Sequence, residues 1–236
     1  MKFGDEIEFL GWETEHGILS PAILTPAKII VIGQSGCGKT YFVRQLLKIH
    51  PFDQKIEKIY YYFMQNQPLY RDIKKENPKI QFIHGLPTNF PSHKNEPTLI
   101  ILDDMINEMT DGKKIVDLFI RDSHHKNITC ILISQNLFFN HKQYRLLSLQ
   151  ANYLILFRTP RDMSQVSILS RQLFPTNPTF VQNVFWKIVK NTPYANLWCD
   201  LSQKCDDRMR IWSNVLEYPI VHLSSMDTDF EQDGET

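Results

Sequence analysis

The stretch from Lys28 to Ile49, KIIVIGQSGCGKTYFVRQLLKI, constrains the fold more than any other part of the chain. Lys28 to Ile32 is a short apolar run, Gly33 to Thr40 matches GxxxxGK[ST], and Phe42, Leu46 and Ile49 then recur at helical spacing. Strand, glycine-rich turn and helix in that order form a cradle for phosphate groups. Gly33, Gly36 and Gly38 let the backbone curl around an anion, so that its amides and the positive helix end face it. Gln34, Ser35 and Cys37 complete the loop, Lys39 is expected to reach the β- and γ-phosphates, and the Thr40 hydroxyl to ligate Mg²⁺. A plain βα turn has no need of Lys-Thr at its end. ATP with Mg²⁺ is the expected cofactor pair, and Cys37 reads as the filler of a small loop position rather than a nucleophile.

Downstream, β-rich runs alternate with helical patterns. Strands are expected at IEKIYYYF around Tyr60, KIQFI around Phe82, TLIILD ending at Asp103, TCILIS ending at Ser134 and NYLILF from Asn152 to Phe157. IVDLFIRDSHH and SQVSILSRQLF have amphipathic helical spacing. The fold class expected is α/β, a P-loop domain with a central, mainly parallel sheet flanked by helices, its apolar strands buried on both faces. Lys28 to Ile32 is expected to be flanked by the strands that end at Asp103 and Ser134, with another strand between the glycine-loop strand and the acidic one.

A nucleotide site of this kind needs an acidic group at the end of a second strand, and LIILDD supplies it. Asp103 reads as the carboxylate that holds Mg²⁺ through water, and Asp104 as the group that polarises the attacking water, with Glu108 the alternative base. The strand TCILIS delivers Gln135 to the carboxyl edge, where ligands of open α/β sheets bind, to orient that water or sense the γ-phosphate. His124 and His125 point about 100° apart if helical, which disfavours joint metal chelation; a subunit-interface or capping role is expected. The aromatic run Tyr60 to Phe63 reads as strand core.

Composition sets the bounds. With 236 residues, 42% of them apolar, 12% aromatic, 9 Gly and 13 Pro, the chain can bury one sizeable core and is neither collagen-like nor wholly disordered. No apolar run approaches the roughly 18 to 20 residues of a spanning helix, and the start MKFGDEIEFLGWE lacks the pattern of a signal peptide, so a soluble, intracellular protein without a membrane partner is expected. The four cysteines have neither CxxC spacing nor disulfide density, which suits a reducing compartment. The net charge of 0 hides a polarity: residues 1–22 carry −4 and 224–236 carry −5, leaving +9 on 23–223. The organisation expected is an acidic N-terminal segment, a basic P-loop ATPase domain over 23–223 suited to a polyanionic partner, and an acidic, disordered tail.

GQSGCGKT, LIILDD, FIRDSHHKNITCILISQNLF and LSLQANYLILFRTPRD together resemble the FtsK/HerA superfamily. Within it they are most similar to the genome-packaging ATPases of polinton (maverick) elements, adintoviruses and related double-stranded DNA viruses. ILSRQLFP and TPYANLWCDL fit the same pattern, and the resemblance spans roughly Pro21 to Leu201. It implies a RecA-like, additional-strand NTPase that assembles as a homo-oligomeric ring and moves double-stranded DNA into a preformed capsid through capsid vertex proteins, at a viral assembly site in nucleus or cytoplasm or in association with the virion. It implies Gln135 as the family's third motif and an arginine supplied by the neighbouring subunit, for which Arg121, Arg145, Arg158 and Arg161 are the candidates. The readings that compete with a motor are a P-loop kinase or small-molecule phosphotransferase and a nucleotide-binding scaffold without turnover.

Overall fold

The structure, a computed structural model, describes residues 9–10, 13–14, 17–18, 22–91, 96–105, 112–135, 142–159 and 164–224. Its backbone groups into two compact units, Pro21–Phe157 and a second formed by Met1–Ser20 with Arg158–Thr236. The elements begin with the two-residue strands β1 (Phe9–Leu10), β2 (Glu13–Thr14) and β3 (Gly17–Ile18). The first unit then contributes β4 (Lys28–Ile32), α1 (Lys39–Ile49), β5 (Lys58–Phe63), α2 (Leu69–Glu76), β6 (Gln81–His84) and β7 (Thr98–Asp103). It continues with α3 (Gly112–Asp117), α4 (Ser123–His125), β8 (Ile128–Ser134), α5 (Lys142–Gln150) and β9 (Tyr153–Phe157).

In the first unit the strands lie in the order β9-β4-β8-β7-β5-β6 and every neighbouring pair is parallel. All residues of β7, β8 and β9 are buried, as Leu, Ile and Val runs without alternation require when both faces of a parallel sheet are covered. Each strand expected in this stretch forms where its apolar run stands, and β8 lies between β4 and β7, the separation expected of the glycine-loop and acidic strands; the strands that flank β4 are therefore β8 and β9, and not the Asp103 strand, because β8 fills that gap. Parallel strands present their carboxyl ends along one edge. The registers Ile32 with Ser134 and Asp103 with Ile133 therefore bring the ends of β4, β8 and β7 level.

IVDLFIRDSHH, expected as one amphipathic helix, forms α3 and α4 joined by a wider π-type turn over Leu118–Asp122. Ser123 Oγ there donates to the Phe119 carbonyl at 3.0 Å, a local bond that competes with regular helix geometry. Helix α2 has only Tyr70 and Ile73 buried within eight mostly charged residues, too short a pattern for periodicity to reveal.

The second unit holds α6 (Ser164–Leu173), expected from its spacing, α7 (Phe180–Asn191) and the antiparallel strands β10 (Asn196–Asp200), β11 (Ile211–Ser213) and β12 (Ile220–His222). β1 pairs antiparallel with β12. Trp198 and Phe185 are fully buried in this unit, and Ser213 Oγ and His222 Nε2 share a buried hydrogen bond of 2.9 Å. The expected disordered tail lies outside the described residues. Cys37, Cys130, Cys199 and Cys205 are all free thiols, and among the described residues no helix is long and apolar enough to cross a membrane.

Candidate functional site

β4 runs straight into the glycine loop, and two glycines there have backbones that side chains resist: Gly36 at φ +78° and Gly38, the residue that caps α1, at φ +102°. Gly33 is needed for a different reason. A Cβ at that position would lie 2.5 Å from Cys37 Sγ and 2.6 Å from the Cβ of Phe157, so the loop closes on itself and against β9 only without one. Cys37 therefore packs, as expected, and burial pushes its thiol pKa up, which disfavours the nucleophilic thiolate. Helix α1 has no acidic residue in its first turn to compete for its positive end. The Lys39 ammonium donates to the carbonyls of Gly33 at 2.5 Å and Gln34 at 3.0 Å, folding back over its own loop.

Backbone bonds stitch this loop to the two other strand ends. The Gly33 amide donates to the Ser134 carbonyl at 3.2 Å, and the Asp104 amide donates to the Ile133 carbonyl at 3.3 Å. The chain leaves β7 at Asp104 with φ +55°, a left-handed conformation that Asp tolerates better than most side chains. Exposed Gln135, one residue past β8, donates through Nε2 to Asp104 Oδ2 at 3.2 Å and lies 3.4 Å from Oδ1. The structure thus brings Gly33, Lys39, Asp103, Asp104 and Gln135 to one sheet edge.

Asp103 and Asp104 have opposite environments. Asp104 faces solvent, whereas Asp103 is 4% exposed and accepts hydrogen bonds on Oδ2 from Tyr61 at 2.7 Å and Tyr70 at 2.8 Å. Burial raises the Asp103 pKa above the ordinary carboxylate value, against the lowering effect of both hydroxyls and of the Lys39 charge, with the Asp104 charge adding to the rise. Tyr61 and Tyr70 are pushed well above the usual phenol range, mainly by burial and then by the Asp103 charge, so they stay protonated donors.

A carboxylate desolvated in this way gains from a cation close by. Among the described residues no group of three or more His, Cys, Asp or Glu could enclose a metal ion. Mg²⁺ needs no such cage, since it keeps several waters and takes one or two protein oxygens beside nucleotide phosphates. Thr40 and Asp103 are oxygen donors of the right kind.

The raised Asp103 pKa has a testable sign. Stability drawn from the protonated group is fully present below the ordinary carboxylate value near about 4, and is lost as pH rises through the raised one. Nucleotide-free Asp103→Asn should therefore melt close to wild type at about pH 4 and above it at pH 7. Thermal unfolding of both proteins across this range checks it. A difference that does not change with pH would contradict the buried charge.

The arginines scatter. Arg121, on the π-type turn, is 67% exposed and pairs with Asp117 at 3.2 Å. Arg145 on α5 and Arg158 just past β9 are exposed. Arg161 and Glu108 lie outside the described residues. Tyr61, expected only as strand core, turns out to have a polar task as well, and Tyr70 was not singled out at all. Tyrosines outside any motif carry no local signal, because only the pairing of β5 with β7 and the placement of α2 bring them to Asp103.

No protein-family model matches the chain, and no curated protein matches it. Among solved structures it is similar to the cytoplasmic domain of the type VII secretion ATPase EccC of Thermomonospora curvata, at 12% identity and a TM-score of 0.52 over 91% of this chain and 28% of that one. It is also similar to the genome-packaging NTPase B204 of Sulfolobus turreted icosahedral virus 2 in complex with AMP, at 14% identity and a TM-score of 0.49 over 84% of this chain and 96% of that one. A third is the KaiC-like protein PH0186 of Pyrococcus horikoshii OT3, at 12% identity and a TM-score of 0.44 over 85% and 91%. The chain spans about 28% of the EccC chain it matches, and at that identity the likeness speaks to fold alone. With its mainly parallel sheet and the glycine loop at the carboxyl edge, the chain has the α/β fold of RecA-like P-loop NTPases.

Proposed function

We propose that the protein is an ATP-driven motor that moves viral double-stranded DNA into a preformed capsid. The observation that carries the hydrolytic half is the meeting of Lys39, Asp103, Asp104 and Gln135 at one edge, held by the Gly33 and Asp104 backbone bonds across β8. The DNA half rests on the resemblance to packaging ATPases of the FtsK/HerA superfamily and on the +9 charge of residues 23–223.

In this reading the loop amides from Gly33 to Thr40 bind the ATP phosphates and Lys39 leaves its two carbonyls for the β- and γ-phosphate oxygens. Mg²⁺, when bound, neutralises charge developing on the phosphates, with Thr40 and Asp103 as its protein side. Asp104 accepts the proton of the attacking water, and Gln135, bonded to that carboxylate, orients it and reports whether the γ-phosphate is in place. An arginine from the next subunit of a ring, drawn from Arg121, Arg145, Arg158 and Arg161, completes the charge stabilisation. Capsid vertex proteins are the docking partner in such an assembly.

ATP hydrolysis measured with and without duplex DNA tests this. The motor predicts turnover that DNA stimulates, and DNA binding whose affinity falls steeply with salt, with a log–log slope of about −0.9 per phosphate contacted. Turnover indifferent to DNA that rises with a small acceptor would instead mark a phosphotransferase. Nucleotide binding with no turnover would mark a scaffold.

A further inference from the structure

Two buried hydroxyls converge on one oxygen of Asp103, and simple core packing does not ask for them. Phenylalanine would fill the same space, yet Tyr61 and Tyr70 both donate to Oδ2, and among the described residues no hydrogen bond reaches Oδ1. The rings that carry these hydroxyls cannot swing. Alternate residues of β5 share a face, so Tyr61 and Phe63 both turn toward α2. Tyr61 stacks on Phe82 with centroids 4.8 Å apart, and Tyr70 packs against Tyr61, Phe63 and Phe82 at 5.0, 5.1 and 5.2 Å.

Helix α2, which carries Tyr70, is itself tied down. Glu76 at its end takes a bidentate bond from Arg44 at 2.6 and 2.9 Å, and Arg44 belongs to α1, the helix that follows the glycine loop. Lys74 donates to the carbonyls of Pro78 and Ile80 at 2.9 and 2.5 Å and secures the exit toward β6.

We propose that Tyr61 and Tyr70 are positioning residues that lock the Asp103 carboxyl group in one rotamer, with Oδ2 turned into the protein and Oδ1 left for the Mg²⁺ side of the bound nucleotide. The proposal rests on the reading of Asp103 as the carboxylate on that side. A hydrogen bond that only satisfied a buried carboxylate would change stability alone. One that fixes its direction also changes how much Mg²⁺ the site needs, as partners of metal-site ligands generally do.

The experiment is equilibrium binding of a non-hydrolysable ATP analogue to the full chain while Mg²⁺ is titrated, with thermal unfolding recorded for every variant. Tyr61→Phe and Tyr70→Phe keep the rings and remove one donor each, and Tyr62→Phe is the control, a buried tyrosine on the same strand with no bond to Asp103. The double variant should need about tenfold more Mg²⁺ for half-maximal binding, each single variant about threefold, and the control no more than wild type. Affinity without Mg²⁺ should stay unchanged. In an Asp103→Asn background the two Phe substitutions should no longer move the midpoint, because the group they orient is gone.

A double variant with a midpoint within twofold of wild type would overturn the positioning role, as would a shift that persists beside Asp103→Asn. Wild-type binding that ignores Mg²⁺ would overturn the reading of Asp103 itself, and this proposal with it. The first two results leave that reading standing, so the two failures are told apart.

Discussion

Lys39→Ala is expected to lower ATP hydrolysis by about 10³-fold or more, with little change in thermal unfolding. The Lys39 ammonium sits on two carbonyls of its own loop, Gly33 and Gln34. Such a cation is held at the glycine loop and does not have to be recruited from solvent. Phosphate oxygens, carrying full charge, are better acceptors than those carbonyls, so the ammonium is expected to exchange partners when nucleotide binds. In the proposed mechanism alanine removes the charge set against the transferred phosphoryl group, and it leaves two carbonyls at a partly exposed loop that water can reach, which should cost little stability. Steady-state hydrolysis at saturating ATP and Mg²⁺, read beside a melting curve, checks both halves. Activity within about tenfold of wild type would remove Lys39 from the chemistry.

Asp104→Asn should separate binding from turnover. A general base is worth about 10² to 10⁴ in rate, so hydrolysis should fall within that range while nucleotide affinity stays within about twofold. The structure favours Asp104 over Asp103 for this task because Asp104 faces solvent, where an attacking water is available, whereas Asp103 is enclosed by two tyrosine hydroxyls. Asparagine keeps the shape and loses the proton acceptor. The Gln135 amide, which now donates to the carboxylate, can still bond the asparagine oxygen, so the turn at Asp104 should hold. Single-turnover hydrolysis paired with nucleotide binding reads the two effects separately. Near-normal turnover would move the base role to Glu108.

The glycine loop, the acidic pair and Gln135 were legible because each stands at the end of an apolar run, and a parallel sheet of such runs has one carboxyl edge for all of them. Of the strand order only the separation of β4 from β7 followed from the same reading; apolar runs carry no mark of which strand neighbours which, and it is β8 in that gap that brings Gln135 next to Asp104. The tyrosine clamp was not legible. It joins residue 61 to residue 103 through the pairing of β5 with β7, and residue 70 to both through a helix whose eight residues show too little periodicity to place. Helix α7 is a different case: Val181, Val184, Phe185 and Val189 are buried at i, i+3, i+4 and i+8, with Gln, Asn and Lys between them, so its helical face is legible in the sequence. The antiparallel strands β11 and β12 are three residues each, below the length at which alternation can be recognised.

The two backbone bonds that fasten the glycine loop and the Asp104 turn to β8 make the last residues of that strand a keystone for the whole site. Every residue of β8 is buried, and the strand is paired on both sides along its length. Amides of this kind exchange with solvent only when a large part of the fold opens at once. The Gly33 and Asp104 amides should therefore rank with the interior of the sheet, not with surface loops, in deuterium uptake. Heat would then dismantle the candidate site in a single step together with β8, with no intermediate stage in which the sheet survives and its carboxyl edge has come apart.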